Sequence, residues 1–171
     1  QEMIQVIETQ FGNPSSIHAH GREARTLLER ARKTIANLFH ASPSEFFFTS
    51  GGTEADNMAI RGTVADYRIK HVISSRIEHH AVSHTLEALQ KSGAIKLSFV
   101  DVDAKGNVDL QHLEELLRSN ERSLVSLMHA NNEIGTLTDI VKVGDICEQY
   151  QAIFHCDTVQ TMGHYRHDLS K

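Results

Sequence analysis

A chain of 171 residues is long enough for one globular domain with a real core and short for two. Its 40% apolar and 23% charged residues are those of an ordinary soluble protein, and no apolar run approaches the length that spans a bilayer. A formal charge of −5 spread over mixed-sign helices leaves no basic face, which argues against nucleic acid as a partner. Only two cysteines, Cys147 and Cys156, argue against a disulfide scaffold and fit a reducing cytoplasm, whereas twelve histidines are unusual.

In chain order, Ala24, Leu27, Leu28, Ala31, Ile35 and Leu38 recur at helical spacing and predict a long amphipathic helix ending near His40. Residues 1–40 are thus read as an amino-terminal helical segment, and 41–171 as an alternating core. Ser42-Pro43-Ser44 leads into a strand-like run, Phe46 to Phe48, which breaks into a Ser-Gly-Gly-Thr turn before a helix. Strands are then expected at 71–75, 95–101, 123–129 and 152–157, alternating with helices at 81–91, 109–120 and 139–150. Gly106-Asn107 reads as a simple turn and Asp109 as a helix N-cap. Five short apolar strands alternating with helices predict an α/β fold: three layers, a mostly parallel sheet with helices on both faces.

Ligands of open parallel sheets bind beyond the carboxyl ends of the strands, where loops and helix N-termini gather. Those ends carry "SGGTE", "RIEHHAV", "ANNEIGT" and "DTVQ". Free N–H groups at a helix start attract anions, and Gly51 and Gly52 let an anion come close, with Thr53 and Glu54 in the first turn. Each cluster has a plain reading as well: the glycines as a connector, His79 and His80 as solvated loop residues, Asn131 and Asn132 as a strand terminator. Asp157 is harder to dismiss, because an acid closing an apolar strand needs a partner or a task. It is expected at the end of a central strand, close to Gly52 and Thr53. An anion loop, an acid, an amide and a histidine on one edge suit pyridoxal phosphate: its phosphate needs a helix N-terminus, its pyridinium nitrogen a carboxylate, and its ring a flat group above it.

Five blocks, "FGNPSSIHAHG" (11–21), "TSGGTEADNMAI" (49–60), "EHHAV" (78–82), "MHANNEIGT" (128–136) and "HCDTVQ" (155–160), resemble in order and spacing the cysteine desulfurases of the aminotransferase class V group. The likeness is to the type that serves iron–sulfur cluster assembly and nitrogen fixation. It implies the large cofactor-binding domain of a fold-type I enzyme that uses pyridoxal 5'-phosphate, takes sulfur from L-cysteine to leave L-alanine, and forms an enzyme persulfide. By that resemblance Gly52 and Thr53 bind the cofactor phosphate. His79 stacks on the pyridine ring and serves as the catalytic proton-transfer residue. Asn131 contacts the ring oxygen, Asp157 pairs with the ring nitrogen, and Gln160 hydrogen-bonds the cofactor. Asn13 in "GNPSS" belongs to the substrate entrance. A homodimer and a sulfur-acceptor or scaffold protein are the implied partners, without nucleic acid or membrane.

The departures from the family are equally informative. Its Ser-x-His-Lys motif, which carries the cofactor-linking lysine, does not occur, and Lys171 stands before the place where that motif is expected. The sulfur-accepting cysteine and the substrate-carboxylate arginine are expected farther downstream, so the chain reads as part of an enzyme, inactive alone. Neither cysteine present suits the nucleophile: Cys147 falls on an apolar helix face with Val143, Ile146 and Tyr150, and Cys156 within a strand. Three alternatives remain at this level. One is another class V activity, such as a selenocysteine lyase or an aminotransferase. The second is a non-catalytic binding or dimerisation module. The third is metal-dependent hydrolysis through His79, His80, His84, His129, His155 and Asp157, for which the spacings match no strong zinc pattern.

Overall fold

The structure, a computed structural model, describes residues 1–118 and 122–169. The chain forms two compact units: residues 1–48 together with the segment from Arg166 onward, and residues 49–165. In the first unit helix α1 (Glu2–Thr9) precedes the long helix α2 (Ala19–Leu38). The helical spacing of α2 is realised, but of its apolar stripe only Ala24 is buried, with Ala36 buried beside the stripe, while Leu28 and Leu38 stay exposed. A short 3-10 turn, Pro43–Glu45, is closed by a reciprocal cap in which the Ser42 N–H donates to Glu45 Oε2 (2.6 Å) and the Ser44 N–H to Ser42 Oγ (3.4 Å).

The expected strand at Phe46–Phe48 does not form. Its aromatics are used singly instead of as a ladder. Phe46 stacks on Phe39 with ring centroids 6.0 Å apart, the Arg32 guanidinium lies 4.9 Å from the Phe48 ring centroid, and Phe47 is 71% exposed. An Arg32 N–H also takes the Phe46 carbonyl, an acceptor that a sheet would have required.

The second unit is built on a four-stranded parallel sheet, β1 (His71–Ser74), β2 (Lys96–Phe99), β3 (Ser123–Ser126) and β4 (Ile153–His155), in the order β2-β1-β3-β4. Successive side chains of a strand point to opposite faces, so the sheet sorts its own residues. Val72, Leu97 and Leu124 pack on one face with Ile60 and Val64 of α3 (Gly52–Asp66) and Val82 and Leu86 of α4 (His80–Lys91). Ile73 and Val125 pack on the other with Leu113 and Leu117 of α5 (Leu110–Arg118) and Val143 and Cys147 of α6 (Ile140–Gln149). The fold is therefore the expected three-layer α/β arrangement. Each fully buried Val, Leu or Ile contributes about 1.5–3 kcal/mol relative to an exposed one, which makes these two clusters the main source of the unit's stability.

Two local expectations hold as well. The Gln111 and His112 N–H groups donate to Asp109 Oδ1 at 2.9 and 3.0 Å, and Gly106 takes the left-handed conformation (φ +83°) that its turn needs. One buried histidine is structural: His71 on β1 is hydrogen-bonded to Ser123 Oγ (2.9 Å) on β3 and Ser98 Oγ (2.8 Å) on β2. Burial lowers its pKa, with Lys96 adding to the effect, so neutral His71 serves as a bridge across three strands.

Candidate active site

Helix α3 begins at the carboxyl edge of the sheet with an unusual amino end. Its N-cap residue is Gly51, which has no side chain to satisfy the first-turn N–H groups. Glu54 would oppose an anion there, but it folds back and accepts from the Ser50 N–H and hydroxyl at 2.7 and 2.6 Å. Those bonds lower its pKa and keep its carboxylate occupied. The two glycines are not equivalent. A Cβ on Gly51 would meet nothing within 4 Å, and its φ of 164° is ordinary extended backbone. A Cβ on Gly52 would lie 2.8 Å from Val159 Cγ2, the end of an exposed side chain that would have to shift, so of the two only Gly52 has a neighbour that a side chain would displace.

Asp157 reaches the same place from the other side of the unit. Parallel pairing of β3 and β4 continues past their formal ends through the Leu127 N–H to His155 carbonyl (3.1 Å) and the His129 N–H to Asp157 carbonyl (2.9 Å) bonds. The backbone of Asp157 is thereby fixed, and its Oδ1 accepts the Val159 N–H at 2.9 Å. Strand β4 is an edge of the described sheet and not a central strand, which corrects one expectation: its residues are half-buried because only β3 pairs with it there. Asp157 itself is nevertheless buried, at 8% exposure.

Between α3 and this segment lies a cavity of about 190 Å³ whose wall includes Gly52, Thr53, His79, Asp157 and Gln160. Five of the seven site residues expected from sequence thus face one space. His79 is held as the N-cap of α4, its Nδ1 accepting the Ala81 N–H at 3.2 Å, which leaves the proton of the neutral ring on Nε2. Asn131 is not on the cavity wall, and Asn132 is. The Asn131 amide donates to the Ile77 carbonyl (2.8 Å) and to Met128 Sδ (3.4 Å), while its oxygen accepts from the Glu133 and Ile134 N–H groups. Asn131 therefore ties the loop after β3 to the loop after β1. Asn13 lies in the first unit, where its Oδ1 accepts the Ser15 N–H (2.9 Å).

Two buried acids belong to the same region and were not picked out by sequence reasoning. Asp56 lines the cavity from α3, at 5% exposure, with Oδ1 3.5 Å from His155 Nε2 and Oδ2 without a partner. Glu78 precedes His79, is 9% exposed, and accepts from Ser75 Oγ (2.7 Å) and the Met128 N–H (3.2 Å) through Oε1 alone. Both were within reach of the pattern. Asp56 stands one helical turn after Gly52 and Thr53, on their face, and Glu78 is an acid just beyond a strand's carboxyl end, as Asp157 is.

The histidines considered for a metal are otherwise engaged. His155 Nδ1 is hydrogen-bonded to Ser126 Oγ and His129 Nδ1 to Thr161 Oγ1, both at 2.9 Å. His80 and His84 do share a helix face, with rings stacked 4.9 Å apart. Among the described residues no three His, Cys, Asp or Glu side chains are arranged to hold a metal ion.

Both cysteines are poor nucleophiles. Burial pushes the Cys147 thiol up to about 12, and burial, aided by the Glu78 and Asp157 carboxyl groups, pushes Cys156 up to about 12. Iodoacetamide at neutral pH is expected to leave both unmodified in the folded protein and to label both in denaturant. Peptide mapping by mass spectrometry checks this; rapid native labelling of either would contradict the burial argument.

A family model described as "Aminotransferase class-V" matches residues 1–171. A cysteine desulfurase IscS from Dictyoglomus turgidum is 45% identical over 166 residues, 96% of this chain and 42% of that protein. Another, from Methanosarcina thermophila, is 41% identical over 173 residues, 100% of this chain and 42% of its own length. Among solved structures, a "NifS-like protein" superposes with a TM-score of 0.91 at 38% identity, covering 99% of this chain and 47% of that one. A structure described as "SspA in complex with cysteine" gives 0.90 at 32% identity, covering 98% and 49%. The chain spans about two fifths of the length of these curated relatives. With a match that runs from its first residue to its last, the chain belongs to the aminotransferase class-V family.

Proposed function

We propose that residues 49–165 form the cofactor-binding portion of a pyridoxal-phosphate enzyme. The proposed enzyme removes sulfur from L-cysteine, leaves L-alanine and an enzyme persulfide, and supplies sulfur for iron–sulfur cluster assembly. The observation that carries the reading is that the uncapped amino end of α3 and the buried carboxylate of Asp157 line one cavity. The residues present fit this cofactor: the space a Cβ would take at Gly52 is closed by Val159, and the donors there suit a phosphate while the acid suits a protonated ring nitrogen. The names of the similar desulfurases, and the cysteine in the SspA description, support the substrate.

When bound, pyridoxal phosphate supplies an electron sink for a carbanion beside the substrate's amino group. Gly52 and Thr53 hold the phosphate through backbone N–H groups and the Thr53 hydroxyl. Asp157 keeps a proton on the ring nitrogen. His79 would stack on the ring and pass a proton through Nε2. Gln160 donates a further hydrogen bond. Asn131, one N–H of which rests on the weakly accepting Met128 sulfur, would offer that N–H to the ring oxygen. A homodimer in the cytoplasm and a sulfur-acceptor or scaffold protein complete the proposal.

The test uses the protein at its full encoded length. Pyridoxal phosphate is expected to bind and produce a visible absorption band, and L-cysteine then to yield alanine with sulfur retained on the enzyme. Tight cofactor binding without alanine would overturn the desulfurase reading, and failure to bind the cofactor would overturn the site.

A further inference from the structure

Glu78 is the most constrained acid of the site, and none of the roles above uses it. Its Oε1 accepts from Ser75 Oγ and the Met128 N–H, while Oε2 is buried with no partner among the described residues. A buried oxygen of this kind is costly as half of a carboxylate and much less so as a hydroxyl. The groups that bear on it come from every neighbouring element. Asp56 comes from α3, with His155 of β4 beyond it at 3.5 Å, and Asp157 and Cys156 come from the segment after β4. His79 follows it in its own loop, its Nδ1 committed to the Ala81 N–H, and Arg76 is turned to the Phe99 ring, 4.3 Å from its centroid. His129 is bound to Thr161. The two charges acting on Glu78 are thus both carboxylates, Asp157 and Asp56.

We propose that Glu78 is a positioning residue for the cation that docks on Asp157. It carries the one proton of a three-acid cluster in the open site, leaving negative charge on Asp157, and releases that proton to solvent when a positively charged ring nitrogen docks there. The step is a single proton leaving Glu78 Oε2 for water as a positive charge arrives beside Asp157, with no electron transferred. Glu78 is assigned the proton because its Oε2 is buried without a partner and no imidazole among the described residues bonds or pairs with it, whereas Asp56, whose Oδ2 is equally partnerless, has His155 3.5 Å from Oδ1, and Asp157 accepts the Val159 N–H. Burial raises its pKa to about 7, and Asp157 and Asp56 add to the rise against the opposing Ser75 and Met128 bonds. The proposal rests on the cofactor reading for the identity of the cation, but its first half does not.

Two sets of measurements separate those parts. In cofactor-free protein at full encoded length, carbon-13 NMR of glutamate carboxyl carbons is expected to show one resonance titrating near 7. It should be absent in Glu78→Gln and shifted to lower pH in Asp157→Asn, because a neutral neighbour removes a repulsion. The folded pKa is raised above the unfolded one, so the folded state binds more protons in between, and stability falls as pH rises from about 4.5 to about 7. Thermal melts should show that fall in the wild type and lose it in Glu78→Gln, whose amide mimics the protonated acid and keeps Oε1 as an acceptor. A Glu78 that titrates in the ordinary carboxylate range, or is indifferent to Asp157→Asn, overturns the proposal whatever the protein binds. Calorimetry of pyridoxal phosphate binding near pH 6.5 in buffers of different ionisation enthalpy then reads the released proton. The wild type is expected to release more protons than Glu78→Gln, and equal release would refute the coupling. Failure of both proteins to bind pyridoxal phosphate, with the NMR shifts present, would refute the cofactor reading and the release step but not the proton-holding cluster.

Discussion

Replacing Asp157 with alanine in the protein at full encoded length is expected to lower turnover of L-cysteine roughly 100-fold or more, the scale on which one preorganised charge-stabilising group acts in an active site. The fold should survive for identifiable reasons. Asp157 is positioned by its backbone, whose carbonyl accepts from the His129 N–H, and that bond does not depend on the side chain. Alanine forfeits the Oδ1 bond to the Val159 N–H, worth about 1 kcal/mol. It also removes one of two carboxylates that repel Glu78, which offsets part of the loss. A melting temperature close to wild type, beside turnover cut by two orders of magnitude, is the expected pair of results. Near wild-type turnover would contradict the role given to Asp157.

The second large effect is expected at Gly52. In Gly52→Val the new Cβ would be forced to about the 2.8 Å approach to Val159 Cγ2, and its methyl groups would crowd the wall shared with Thr53 and Asp157. Gly52 has the helical backbone of the first residue of α3, which a valine adopts at a propensity cost of well under 1 kcal/mol. Affinity for pyridoxal phosphate is therefore expected to fall at least about tenfold, the equivalent of about 1.4 kcal/mol, with little change in thermal stability. Gly51→Ala provides the contrast, since its Cβ meets nothing within 4 Å and its backbone is extended. Titration of cofactor-free protein, run beside melts of all three, distinguishes the cases. Unchanged affinity in Gly52→Val with the fold intact would reduce the turn to a connector.

How much of this was legible beforehand depended on the range of the interaction. The helices at 19–38, 80–91, 110–118 and 140–149 lie within a few residues of where periodicity put them, because a stripe of apolar residues every third or fourth position is a local property. The strands after residue 70 were equally readable, since each is a short apolar run flanked by such helices, with β1 and β3 buried throughout and β2 and β4 partly so. Phe46–Phe48 had the same apolar look and formed no strand. Its neighbours Arg32 and Phe39, 14 and 7 residues earlier for Phe46, took the carbonyl and the ring that pairing would have used.

Residue type and strand-end position were enough to select Gly52, Thr53, His79, Asp157 and Gln160, because a parallel sheet sends every carboxyl end to one edge and so gathers whatever the chain places there. Only the tertiary structure decided what that edge does with its charges. It put β4 at the side of the sheet, gave steric meaning to Gly52 and none to Gly51, and turned Asn131 into a tie between two loops. Above all it buried Glu78 and Asp56 close to Asp157. Composition cannot foresee that outcome, since the cost of a carboxylate depends on the water removed from it and on the distance to the next negative charge, and both are set by residues far away in the chain.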